Sequence, residues 1–531
     1  MEEQLLQAIR ERPEDDEPRL VYADWLTDRG DPRGELVVVQ CHLARLPYDD
    51  EARRDLDVRL RALMAEHGES WRRALAAIPT VDNAYFKRGF VERISMEESL
   101  FAEHAPAIFE AAPLLTDVHL VSRTHPGPPV LAPELARLDG LHIATTMYAS
   151  AALASPLVRS LVRLELDREC GPRVLDAMLP HAFPRLEKLE LTQTNIGTQG
   201  LDQLVASGLL ANLRRLHIGF CKIESAFSLA RSPDAAKLRT LWINENPLGA
   251  RGATELLTSA NLAGLEEIDL GDTQAGDALA RAALPNLRTV RYRNNRLTAE
   301  AGRALAENPG LPALERLELT GPNDAPTCEL EAAVAIVSAK ALPKLTALRL
   351  DQQRFGIGSA PLFHAIRPGF LELDLAWNSP SLDEIAALAD NPNVATIEKL
   401  VLASNGFGER GIRRLAKSPY LRPHSLDLRF VPLGDGGMAS LVASGFLSEV
   451  RTLELQGCGI GDRGVRALAR SRQVPHLFRL SLFGNAVTDE GALALAASKH
   501  VRPLSTLSLT STQVTERGAA ALRAAGHDVR I

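Results

Sequence analysis

Asp24, Asp28 and Asp31 stand four and three residues apart in the stretch LVYADWLTDRGDPRGE (residues 20–35), with Glu35 inside it and Glu17 just upstream. On a helix a spacing of four puts two carboxylates on one face, which is what a bound cation or an acid–base pair would need. Arg19, Arg29 and Arg33 are interleaved closely enough to neutralise those acids. The pattern therefore predicts an acid–arginine network that fixes one helix against the next, and no metal. Cys41 lies in the apolar helical run VVVQCHLARL, a packing position and not that of a nucleophile. His104, His119, His125 and His142 show no metal-ligand spacing and read as surface or partly buried side chains. No GxxxxGK[ST], post-strand GxGxxG, HExxH or GxSxG occurs. No enzyme activity and no cofactor are expected.

The elements that hold this cluster can be read from the same stretch. MEEQLLQAIRERP predicts a first helix with Leu5, Leu6 and Ile9 on one face. EDDEP supplies N-cap acids, and Pro18 suits the first turn of a second helix. There Val21–Trp25 and Tyr22–Leu26 are i,i+4 pairs on adjoining apolar faces. Gly30 is a C-cap, DP a stop, and GELVVVQCHLARL a third helix with Glu35 in its dipole-compatible first turn.

Charge and composition narrow the classes. Residues 1–60 carry 16 acids against 9 arginines and no lysine, a balance of −7 that equals the net charge of the whole 531-residue chain. No basic stripe marks a nucleic-acid surface, so nucleic acid is not an expected partner. No apolar run of about 18 residues exists to span a membrane. The start of the chain lacks the plan of a signal peptide. Five scattered cysteines (41, 170, 221, 328 and 458) without a CxxC fit a reducing cytoplasm.

Beyond residue 90 the chain repeats itself. LEKLELTQTNIGTQGLDQLVASG from Leu186, VRTLELQGCGIGDRGVRALARSR from Val450 and LFRLSLFGNAVTDEGALALAASK from Leu477 share the pattern LxxLxLxxNxIxxxGxxxLAxS. Units start at 186, 213, 238, 265, 287, 314, 345, 370, 397, 423, 450, 477 and 504, with weaker copies at Leu115, Leu138 and Leu161. LxxLxL predicts a short strand with inward leucines, and GxxxLAxS a helix with an apolar inner face. One unit cannot bury its own leucines, so units must stack, with a parallel sheet on the concave side. Asn195, Asn246, Asn295, Asn378, Asn405 and Asn485 occupy the Asn slot, where a side chain can bond backbone of the turn along the stack. Cys221, Cys458, Thr273 and Thr512 replace it elsewhere, and Val431 stands there in the unit from Pro423. VERISM from Val91 is read as a capping strand and DVRI (528–531) as a truncated last one. The unit from Leu265 has lost most of its helix, and that from Leu314 carries the insertion GPNDAPTCE.

On these motifs residues 91–531 resemble the leucine-rich-repeat family, in particular the long-unit subclass of ribonuclease inhibitor and the Ran GTPase-activating proteins. The resemblance implies an α/β horseshoe solenoid. Bacterial leucine-rich-repeat ubiquitin ligases use a cysteine in a separate helical domain, but their Cys-x-Asp signature is absent here. PEDDEPRLVYADWLTDRGDPRGELVVVQ resembles the repeat-companion domain at the front of many bacterial repeat proteins. FKRGFVERISM (86–96) resembles the segment joining it to its repeats. The expected organisation is an acidic all-α domain over 1–60, a linker and cap over 61–114, and about sixteen repeats over 115–531.

In such a solenoid the variable positions beside the last two leucines face the bowl. Phe220, Trp242, Trp377, Phe430 and Phe483 fall there, as do Asp269, Arg291, Arg293, Arg316 and Arg349. Aromatic and arginine side chains dominate binding hot spots. These ten residues are the expected contact set for a protein partner, and a cytoplasmic bacterial scaffold without chemistry is the expected function. The alternative is a regulator of a partner enzyme, such as a small-GTPase activator, by analogy with the Ran-activating subclass.

Overall fold

Leu6 and Ile9 of helix α1 (Glu2–Glu11) turn inward against α2 (Asp16–Thr27) and α3 (Arg33–Arg45). The computed structural model describes residues 1–46, 52–122, 129–167, 170–322 and 326–531. Asp15 caps α2, its side chain accepting from Glu17 N, and Gly30 closes the end with a left-handed φ of 70°. Tyr22, Ala23 and Leu26 meet Val37 and Cys41 in the core between α2 and α3. Trp25 is partly buried and stacks on Tyr22, whereas Val21, expected beside it, faces solvent. Helix α4 (Arg53–Ala76) runs without a break through residue 60.

The expected acid–arginine network exists with other members. Asp24 and Asp28 face solvent, and Asp31 accepts from the backbone N of Arg33 at the turn into α3. Arg29 lies over the Trp25 ring, and Arg19 is fully buried against Glu92, 2.5 Å away. Asp16 pairs with Arg45 at 2.8 Å and Arg88 at 3.1 Å, and Glu35 pairs with Arg59. The reason is geometric: arginines one turn from an aspartate on the same exposed face gain little from pairing there. A buried carboxylate on the next element gains much more from a guanidinium.

That next element is the hairpin of β1 (Asn83–Lys87) and β2 (Phe90–Glu97), antiparallel to each other. Phe90 enters the helical core, Gly89 N donates to Gln40 Oε1 at 2.6 Å, and Lys87 reaches Glu14 at 3.1 Å. Gly89 has a φ of 89°, and a Cβ on it would sit 2.2 Å from Val37 Cγ2, so only glycine fits. The other face of β2 continues into the repeats. β3 (Asp117–Val121) pairs parallel to it, followed by β4 (Gly140–Ile143) and β5 (Arg163–Leu166). The segment read as a capping strand is therefore both cap and joint.

Contact density divides the chain near residue 249 into two compact units, Met1–Leu248 with Ser259–Leu265, and Gly249–Thr258 with Glu266–Ile531. Within each, strands pair in parallel and leucine meets leucine, as in Leu189–Leu216–Leu241 of the first and Leu317–Leu348–Leu373 of the second. Among the described residues sixteen repeat strands run from Asp117–Val121 to Thr506–Ser508, and Val529–Arg530 ends the series as expected.

Each polar letter of the repeat has a partner in the repeat before it. Asn485 Nδ2 donates to Leu455 O at 2.7 Å while Oδ1 accepts from Cys458 N and Ile460 N, both at 3.0 Å. Asn246 and Asn405 do the same one repeat back, and Cys221 and Cys458 donate from Sγ to Leu191 O and Leu428 O at 3.0 Å. The helix-entry glycine makes room: Cβ atoms on Gly491 and Gly518 would lie 2.5 and 2.6 Å from Asp462 and Asp489 oxygens. Those aspartates cap the following helix through Thr488 and Thr515. The last serine closes the far side, Ser471 and Ser498 donating to Val442 O and Ala469 O.

Asn195 is a correction. The slot in its unit is Thr194, which is buried and donates to Leu191 O, whereas Asn195 is exposed with a φ of 56°. Counting from Leu186 fixes the slot eight residues on, and an adjacent Asn drew the assignment off by one. Gln353 fills the slot in the unit from Leu345, bonding Leu319 O, Thr327 N and Cys328 N. In the shortened unit a 3-10 turn (Ala278–Arg281) stands for the helix, and the buried Tyr292 donates to Gly276 O at 2.8 Å. Residues 323–325 of the insertion lie outside the described residues.

The head–repeat joint makes a prediction. Arg19→Met leaves the buried Glu92 carboxylate with only Lys87, 3.7 Å away, and is expected to cost about 3 kcal/mol, most of it recovered by Arg19→Met/Glu92→Leu. Chemical unfolding followed by tryptophan fluorescence would show the two midpoints. Equal loss in both variants would contradict the account.

Candidate functional site

In the second unit the last residue of each three-residue strand stands on the sheet face opposite the helices, while the apolar middle residue is buried. Register aligns them into one row: Asp269, Arg291, Glu318, Arg349, Asp374, Val401, Asp427 and Glu454. Signs alternate at its start, so the row pairs laterally. Arg291 bonds Glu267 and approaches Glu318 at 3.6 Å, and Arg349 approaches Asp374 at 3.3 Å. Arg316, one row over, reaches Glu372 at 2.7 Å, and Arg293, past the strand, reaches Asp272 at 2.9 Å. The four arginines expected to await a partner are thus engaged within the sheet.

Burial raises three carboxylates of this row, Asp269, Asp374 and Glu454. Burial pushes Asp374 up to about 6, with Asp351 adding to the effect and Arg349 opposing it. Burial also raises Asp269, against the N–H of Gly271 and the nearby Arg291 and Arg293.

The aromatics occupy different ground. Trp242 alone sits on the sheet face, in the first unit, stacked on His217 at 3.9 Å, and His217 is 3.2 Å from Glu190. Phe220, Trp377 and Phe430 fall one residue before the slot, in the turn after the strand, with φ of 55°, 58° and 58°. This position is left-handed in repeat after repeat and elsewhere takes Gln193, Glu245, Asp272, Asn294, Ser404 or Gly457. Trp377 and Phe430 are 54% and 55% exposed. Trp377 follows directly on Ala376, which with Val401 and Ala403 makes a small apolar cluster, and the Phe430 ring lies over Gly457. Phe483, just after Leu482, is partly exposed at 37%.

A second feature was not expected. At the start of the first unit a cavity of about 850 Å³ opens on the sheet face, bordered by Pro13 and Glu14 of the head and Lys87 of β1. Its floor holds His119, His142 and Glu165, register partners on β3, β4 and β5. The two imidazoles stack at 3.8 Å and 4°. Burial lowers the His119 pKa, with His142 adding to the effect, while Asp167 is held low by its bond to His142. His119 and His142 are partly buried, as expected, and in addition face each other. They are 23 residues apart, which is no ligand spacing within one element but is the pitch of these repeats. His104 lies on α5 (Glu98–Ala111), and His125 lies outside the described residues. Cys41 is fully buried, and burial with the nearby Asp16 pushes its thiol up to about 11, the opposite of what a nucleophile needs.

The strand–turn–helix unit with a bonded slot side chain defines the class: an α/β leucine-rich-repeat solenoid preceded by an all-α head. Residues 449–469 and 475–496 match the Leucine Rich repeat family model. Among solved structures, an internalin of Listeria monocytogenes is similar at 14% identity over 81% of this chain and 94% of that one, with a TM-score of 0.33. Nothing among the curated proteins matches. Among the described residues no helix is long and apolar enough to cross a membrane.

Asp374 gives a pH prediction. A carboxyl raised in the fold binds its proton more tightly folded than unfolded, so its cost is full above pH 6 and gone below the unfolded value near 4. Asp374→Asn, which keeps the acceptor for Ala376 N, is expected to stabilise by about 2 kcal/mol at pH 8 and by nearly nothing at pH 4. Thermal melts of both proteins across that range test it. A difference that does not change with pH refutes it.

Proposed function

We propose that the chain is a non-catalytic scaffold that binds a protein partner, with Trp377 and Phe430 as anchors in its second unit and Phe483 beside them. The observation that carries this reading is the left-handed backbone under both exposed rings. A bulky side chain at positive φ costs on the order of 1 kcal/mol, and a ring left half in solvent recovers only part of it by burial. Glycine (Gly457) and asparagine (Asn294), which adopt a left-handed φ most readily, fill the same place in other repeats at less cost. A strained and exposed aromatic suits a surface that is buried only when something else covers it. Flanking it, Ala376, Val401 and Ala403 offer an apolar floor in an otherwise charged row.

In the first unit, Phe220 in the equivalent turn and Trp242 on the sheet are a further candidate contact pair. Asp269, Arg291, Arg293, Arg316 and Arg349 orient a partner by their field in this reading, being committed to internal pairs. The organisation 1–60, 61–114 and 115–531, the cytoplasmic location and the absence of nucleic acid belong to the same proposal.

Stability and binding should separate. Trp377→Asn and Phe430→Gly are expected to leave the melting temperature equal or higher, by up to about 1 kcal/mol each, because each puts a suited residue at a left-handed site. The same variants, used as full-length bait, should fail to capture the partner that wild-type protein captures and that captures it reciprocally. Partner capture undiminished by the double variant sinks the proposal.

A further inference from the structure

The repeat pitch gathers what no short motif in this sequence gathers: ligand-type side chains from three successive repeats at one point. His142 Nε2 stands 2.8 Å from Asp167 Oδ1, and its Nδ1 is 3.7 Å from Glu165 Oε2. His119 stacks on the same ring from the preceding strand, and its Nε2 is buried without a hydrogen-bond partner. One ligand atom from each of His119, His142 and Asp167 lies within 4.8 Å of the other two. A buried ring nitrogen left without a partner is costly, and a cation supplies one.

We propose that His119, His142 and Asp167 form a binding site for a divalent transition-metal ion of the zinc class, with its remaining position open to the adjoining cavity. Two imidazole nitrogens and one carboxylate oxygen are a donor set for zinc, whereas magnesium and calcium take oxygen ligands. Ligands about 2.1 Å from a tetrahedral centre stand roughly 3.4 Å apart, so the widest of the three separations must close by up to about 1.4 Å as the rings leave their stack, while the 2.8 Å between His142 and Asp167 opens slightly. All three side chains are partly exposed on the sheet face, so no core packing bars that movement. Glu165, held by Lys188 at 2.5 Å, is placed to accept from His142 Nδ1, the outer carboxylate that steadies a metal-bound imidazole. The open position faces a cavity roomy enough for a water or for a side chain of a bound partner.

Full-length protein, stripped with a chelator and then dialysed, is titrated with zinc chloride by calorimetry. One site of micromolar affinity is expected, unaffected by a large excess of magnesium. His119→Gln and His142→Gln should each weaken it at least tenfold. Asp167→Asn should weaken it too, and that side chain is exposed enough that the fold does not depend on it. Cobalt replacing zinc should give the intense visible absorption of a four-coordinate nitrogen–oxygen site. If a histidine variant misfolds, the Asp167 variant and the cobalt spectrum decide alone. No zinc heat at about a hundred times the expected dissociation constant overturns the proposal. So does binding that the Asp167 variant leaves unchanged together with an octahedral cobalt spectrum.

Discussion

The side chain in the slot after each strand is the contact on which the repeats depend. A strand of three residues followed by a left-handed turn leaves backbone donors and acceptors facing the interior, away from water. Asn246, Asn405 and Asn485 satisfy them in both directions, giving protons to the carbonyls of one repeat and accepting from the amides of the same neighbour. Two donors and an acceptor on one short planar group suit this better than any other side chain. Cysteine and threonine do half the work: Cys221 and Thr194 donate to the same carbonyl, Leu191 O, and accept little. The buried cysteines are spare parts of a hydrogen-bond ladder, and burial keeps Cys458 pushed up to about 12.

Stacking solves the interior but leaves each end of a series open, and the head closes one of them. Its helices do not merely precede the repeats; Phe90 and Leu114 complete their core, and Arg19 is buried against a carboxylate of the first parallel strand. The cluster that first suggested chemistry is therefore the outer face of a clamp.

What recurs was legible in the sequence, and what depends on distance between rows was not. Strand positions, the shortened unit, the capping strand and the structural role of Cys221 and Cys458 follow from a period near 26, because each is a property of a single unit. Thr194 was missed because a neighbouring Asn fits the type but not the count. The pairing of Arg291 with Glu267 and of Arg19 with Glu92 depends on which strand is adjacent and how far a side chain reaches. A list of charges by unit does not contain that. The stacking of His119 on His142 was not read for a related reason: ligand spacing is sought within one helix or hairpin, whereas these two stand one repeat apart.

The same reasoning separates the two kinds of surface on the sheet. A residue at the end of one of these strands has a register partner on each side, so a charge placed there can pair with an opposite charge on the next strand, as Arg291 does with Glu318. Arg349, with Glu318, Asp351 and Asp374 around it, shows how fully such a row satisfies itself. A residue in the turn beyond has no such neighbours, and its backbone already pays for a left-handed φ. Selection for stability would put glycine or asparagine there. Trp377 and Phe430 are therefore half-exposed rings at positions where the backbone itself favours glycine or asparagine.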